Sequence, residues 1–143
     1  MSSNQWIFDI QTTVFSRIKS VCTAKLVSKY PDITVTMDSH KVTTAKYPSV
    51  YVHFLQPTEV GKDLDGQTVN AIYLTAQIEV NVTQAQGMVV ANEVSSVVLD
   101  IMKEMRFVAT MPEFQDTDAS YRTISRYART IGNTETLFEV PIV

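Results

Sequence analysis

Histidine, cysteine, glycine and tryptophan are scarce in this chain of 143 residues, which holds two, one, four and one of them, respectively. Each shortage excludes something. A single cysteine, Cys22, cannot form an intrachain disulfide, and its place in a helical pattern makes a small core hydrophobe the expected role. His40 and His53 have no partner at metal-ligand spacing. His53 alternates within an apolar strand pattern, so a hydrogen-bonded structural histidine is expected there. The glycines are too scattered to cradle a phosphate, and no GxGxxG, Walker, HExxH or GxSxG motif occurs. No run approaches the ~20 apolar residues of a membrane span. The opening MSSNQWIFD has neither the basic nor the apolar region of a signal peptide. The expectation is a soluble protein, made and folded in a cytoplasm, with no membrane partner.

Charge is also modest. Twelve Lys and Arg against fifteen Asp and Glu give a net charge of −3, which argues against non-specific nucleic-acid binding through many phosphate contacts. Hydrophobic residues make up 45% and charged residues 19%, the balance of a globular chain. A chain of this length buries roughly 68–70% of its unfolded surface, enough for one core, so residues 1–143 are read as a single domain.

Two helices and several strands follow from periodicity. Ile7, Ile10, Val14, Ile18, Val21 and Leu26 share one helical face, Ser2, Ser3 and Asn4 offer N-caps, and Tyr30-Pro31 stops the pattern, giving a helix over 5–29. Trp6 at its start is expected to staple it to the sheet or to a neighbouring subunit. Ile33–Met37 alternates as a strand, and a polar connection follows over Asp38–Lys46. Ser49–Leu55 is β-branched and aromatic with two fairly apolar faces, as in a central strand or one covered by a partner chain. Gln56–Gln67 reads as a long charged loop. Thr68–Val82 is the clearest strand, with Ile72, Leu74, Ala76, Ile78, Val80 and Val82 on one face and Tyr73, Thr75, Gln77, Glu79 and Asn81 on the other. A second helix over 88–105 carries Ala91, Val94, Val98, Ile101, Met102 and Met105 on its core side. Arg106–Asp118 is read as a loop pinned by Phe107, Val108, Met111 and Phe114, and Leu137–Val143 as a short edge strand because of Pro141. The order predicts an α+β domain: a mostly antiparallel sheet of four to five strands with two helices packed on one face.

Candidate chemistry is thin. Glu59, Asp63 and Asp65 do not match a calcium-loop spacing and read as an exposed acidic loop, and nothing near Asp116 and Asp118 would tune them as an acid–base pair. No metal, cofactor or catalytic residue is expected, and the chain is not read as an enzyme. The richest segment is YRTISRYARTI, residues 121–131, with three arginines and two tyrosines. As a helix it would line up Arg122, Arg126 and Arg129. As a strand it puts Arg122, Ile124, Arg126 and Ala128 on one face and Arg129 on the other. Its Thr, Ser, Tyr and Ile content favours the strand. The arginines either form surface ion pairs with Asp116, Asp118, Glu135 or Glu139, or contact a second subunit, for which Arg and Tyr are well suited.

The helix at the N-terminus, YPSVYVHFLQPTEVGKDLDG with its charged loop, the alternating AIYLTAQIEVNV, the helix ANEVSSVVLDIMKEMRF and YRTISRYARTIGNTETL follow one another in an order that resembles the tail terminator, or tail-completion, proteins of long-tailed bacteriophages. The resemblance implies a virion structural protein that assembles into a ring, typically a hexamer. Such a ring caps the tail tube, ends its polymerisation and joins it to the head connector. Its partners would be copies of itself, the tail-tube protein and the connector, with DNA only as passing cargo. Its location would be the virion tail near the head junction, reached from the host cytoplasm during assembly. By position, Glu59, Lys62, Asp63 and Asp65 in the loop and Arg122, Arg126 and Arg129 in the strand would be the subunit-interface residues. A head-closure, neck or minor capsid protein is the alternative in the same biology, and a small ligand-binding or enzymatic α+β domain the alternative outside it.

Overall fold

A computed structural model describes residues 4–37, 46–62, 64, 66–116 and 121–133, without the side chains of 111–116. Helix α1, Trp6–Leu26, buries Val14, Ile18, Cys22 and Leu26, one row at four-residue spacing. Ile7, Ile10 and Val21 flank that row and are only half-buried. Cys22 thus takes the central place that the pattern offered to Val21. Its thiol is fully buried, and that burial pushes its pKa up to about 12.

The start of α1 is held to the sheet and is not capped by a side chain. Asn4, expected as an N-cap, accepts a hydrogen bond from Val69 N at 2.9 Å and donates to Gln67 O at 3.2 Å. Trp6 Nε1 donates to Val69 O at 3.1 Å, so of its two expected partners the staple found is the sheet. Ser2 and Ser3, the 38–45 connection and the expected 137–143 strand lie outside the described residues.

The fold is α+β, as expected. Its sheet contains β1 (Thr34–Thr36), β2 (Ser49–Phe54), β3 (Thr58–Lys62), β4 (Val69–Val82), β5 (Val108–Asp116) and β6 (Tyr121–Gly132). The order is β1-β2-β4-β6-β5, with β3 also on β4. Only the β1–β2 pair is parallel. The Tyr47–Pro48 peptide is cis.

Two stretches read as loops are strands. β3 lies inside the expected 56–67 loop and continues β2 along the same edge of β4. Phe54 faces Ala76 and Thr58 faces Tyr73. Four steps on one strand therefore match three on the other, a one-residue bulge around Pro57. Gly61 suits this hairpin because a Cβ there would collide with the Asn70 side chain. β5 lies inside the expected 106–118 loop. Its pairing with β6 slips between Ala109 and Met111 and again between Met111 and Phe114, around Pro112, which has no N–H for the ladder. Phe107 is buried as expected, whereas Val108 is 67% exposed and does not pin the segment.

Helix α2, Gly87–Glu104, packs on β4 and β6 through the residues its periodicity named, all buried together with Met105. Before it, Thr83 and Gln86 exchange reciprocal bonds of 3.1 Å, a capping box on a single turn. Gly87, at φ 72°, then redirects the chain into the helix. At the other end Arg106 N donates to Lys103 O and Phe107 N to Met102 O, both at 2.9 Å, a Schellman closure with Arg106 at φ 64° in the position that usually holds glycine. Ser95 and Thr123 share a buried 2.6 Å hydrogen bond that ties α2 to β6. Past the end of α1, Tyr30 Oη donates to Glu93 of α2 at 2.5 Å and Lys29 pairs with the same carboxylate at 3.0 Å. The Tyr30 and Lys29 hydrogen bonds hold the Glu93 pKa below the usual carboxylate range, and the hydrogen bond to Glu93 raises Tyr30 and Lys29 in turn.

Gly87→Ala meets no steric obstacle, since nothing lies within 4 Å of the added Cβ. Its cost is the left-handed backbone alone, expected to be about 1 kcal/mol in urea denaturation. The native Cys22 thiol is expected not to react with a thiol reagent at pH 8 and to react on denaturation. Because its folded pKa lies above the ordinary 9.0, Cys22 contributes stability below pH 9 that declines as pH rises towards about 12.

Candidate functional site: the sheet face opposite the helices

The alternation of β4 divides the sheet. Ile72, Leu74, Ala76, Ile78, Val80 and Val82 are buried on the helix side. Tyr73, Thr75, Gln77, Glu79 and Asn81 point the other way and are half-buried or exposed. In an antiparallel pair, directly opposed residues share a face. The register therefore adds Tyr51 and His53 of β2 and Arg122, Ile124, Arg126 and Ala128 of β6 to the second face. Neither helix packs there. Tyr51 and His53 stack with ring centroids 6.1 Å apart, and His53 is exposed. The hydrogen bond expected for His53 is not found among the described residues; β2 alternates and His53 falls on its outer side, where it stacks on Tyr51.

Residues 121–132 form a strand, and its alternation separates the three arginines. Arg129 points to the helix side and donates from Nη1 to Met105 O at 2.7 Å. Met105 is the C-cap of α2, so a cation meets the negative end of the helix dipole where a carbonyl needs a donor. Arg122, on the open face, pairs with Glu79 at 2.8 Å, diagonally across β4. Glu79 was not among the carboxylates the sequence suggested. Asp118, Glu135 and Glu139 lie outside the described residues, and Asp116 is placed only by its register opposite Arg122. Arg126, half-buried, donates from Nε to Gln77 Oε1 at 2.8 Å directly across the ladder. Among the described residues no carboxylate pairs with it.

The hairpin of β3 and β4 holds the other expected interface residues. Glu59 and Lys62 pair with each other at 3.2 Å on the surface of β3, which leaves little net charge on that strand. Asp63 and Asp65 lie outside the described residues. Sequence reasoning missed Val60, between the paired residues, and Leu64, two positions beyond Lys62, which are 54% and 109% exposed. Apolar residues between charged ones were the available signal, and the reading of the segment as an acidic loop hid them.

Among the described residues no group of three or more His, Cys, Asp or Glu is arranged to hold a metal ion, and no helix is long and apolar enough to cross a membrane. No protein-family model matches the chain, and no curated protein does so either.

Replacing Arg129 by Met should cost about 1–2 kcal/mol in urea denaturation, because the Met105 carbonyl then loses a charged donor. Arg126→Met should cost less than about 0.5 kcal/mol, as a surface residue bonded only to a neutral amide does. Equal losses would overturn this division of the arginines.

Proposed function

We propose that the chain is a structural subunit of a phage tail, assembling into a ring that caps the tail tube, ends its growth and offers a joint to the head connector. The observation that carries this reading is the one-sided packing of the sheet: two helices cover one face, and the other keeps aromatic and arginine side chains at its surface. Arg and Tyr are favoured where subunits meet, because they give large contact area and directional donors. The order of elements, which resembles that of tail terminator proteins, is the second support.

A ring terminator works by saturation, not by chemistry. Each copy binds its neighbours and the last tube layer, and the closed ring presents no further tube-like surface, so polymerisation stops. A small domain suits that task if its surfaces are rigid. Here the sheet is braced by the Arg122–Glu79 pair, the Arg126–Gln77 bond and the buried Ser95–Thr123 bond.

The test is a phage lacking this gene product. Its tails are expected to lose length control and remain unattached to heads, and supplying the protein should restore joined particles of uniform length. Tails of normal length joined to heads in its absence would overturn the proposal.

A further inference from the structure

Helix α1 is held to the rest of the molecule in two different ways along its length. From Val14 onward, the row Val14, Ile18, Cys22 and Leu26 is buried, and the helix packs on α2 and β1. Before Val14 no residue of the helix is buried. Trp6, Ile7 and Ile10 rest half-buried on the core, while Phe8, Asp9, Thr12 and Thr13 are exposed.

Two side chains fasten these first two turns to the sheet. Asn4 accepts from Val69 N and donates to Gln67 O, and Trp6 Nε1 donates to Val69 O. The Asn4 amide therefore meets the start of β4 as a neighbouring strand would, offering one acceptor and one donor to backbone groups two residues apart. The helix start adds little of its own, because Gln5 holds the N-cap position with helical backbone angles and no side-chain cap.

The junction between the two parts also differs from the rest of the helix. Thr12 and Thr13 are consecutive β-branched residues whose hydroxyls donate back to the Phe8 and Asp9 carbonyls, at 3.4 and 3.0 Å. Threonines bonded in this way weaken and bend a helix. They lie immediately before Val14, where the buried row starts.

We infer that residues 4–13 form a strap, which swings open about Thr12 and Thr13 while the remainder of α1 stays packed. Its latch is the set of Asn4 and Trp6 bonds to the root of the β3–β4 hairpin. Segments with few buried side chains and exposed hydrogen bonds open at a lower free energy than the whole domain. Opening releases the Val69 N–H and C=O and the Gln67 carbonyl from these bonds, so the strap sets how firmly the root of the hairpin is held. The inference stands apart from the tail reading and does not depend on it.

Trp6 is the single tryptophan of the chain. Its fluorescence therefore reports the latch, whereas far-UV circular dichroism reports the helices and the sheet together. In a urea titration of the full chain, the fluorescence transition is expected at lower urea than the dichroism transition, a departure from two-state behaviour. Asn4→Ala should move the fluorescence midpoint lower still and leave the dichroism midpoint in place. In that variant the Val69 amide should exchange about tenfold faster with deuterium, with the Ile78 and Val98 amides unchanged. Replacing Thr12 and Thr13 together by Ala should narrow the gap between the transitions, since alanine removes the back-bonding hydroxyls and favours the helix. Coincident transitions in the wild type, or equal shifts of both midpoints in Asn4→Ala, would overturn the strap. A double threonine variant that opens as readily as wild type would overturn the hinge.

Discussion

The two-sidedness of β4 is the constraint on which the molecule depends. β2 and β3 share one of its edges and β6 takes the other, while β1 and β5 reach the sheet only through β2 and β6. Its period-two pattern fixes which side the helices can cover. Register is specified strongly in such a strand, because a slip of one residue would turn six buried aliphatic side chains to the surface. The buried side then gives α1 and α2 their place, and the helix order follows from the chain connecting them.

That same alternation assigns the arginines their work. Three cations that look equivalent in the sequence become a helix-terminus donor, a cross-strand ion pair and a surface fork held by an amide. Arg129 belongs to the stability of α2, whose Schellman closure bonds the Met102 and Lys103 carbonyls, and Arg129 supplies a donor to that of Met105. Arg122 shares its charge with Glu79 inside the chain. Arg126 is the one whose charge has no carboxylate beside it among the described residues, and its Nε is held by the Gln77 amide.

Both helices and the strong strand were legible because their apolar periods are long and uninterrupted. Ala91 to Met105 and Ile72 to Val82 named the core almost residue by residue. β3 and β5 were not, since each carries the residues that usually mark a turn: Pro57 and Gly61 around one, Pro112 in the other. Those residues do break regular pairing, but as bulges and slips within a ladder, a distinction that depends on having β4 or β6 alongside. Asn4 was misread for a related reason. Its amide suits a helix cap, but its side chain bonds the backbone of Gln67 and Val69 in the sheet instead. Of the candidate site, the strand and its split faces were legible. The partners Glu79, Gln77 and the Met105 carbonyl were not, because they come from elements distant in the chain. The hairpin's exposed Val60 and Leu64 were hidden by the charges around them.

The bulge around Pro57 has a consequence for how this chain tolerates change in length. In β2 the even-numbered Val50 and Val52 point inward, yet Thr58 faces the outward Tyr73. One extra residue has exchanged the parity of the strand midway. A deletion at 55–57 would therefore act as a frame error in three dimensions and not as the trimming of a loop. Every side chain of β3 beyond it would trade faces, while β2 and β4 stayed as they are. Homologous hairpins of this design should vary freely in length at the 63–68 turn, where the two strands end together, and keep their count at the bulge.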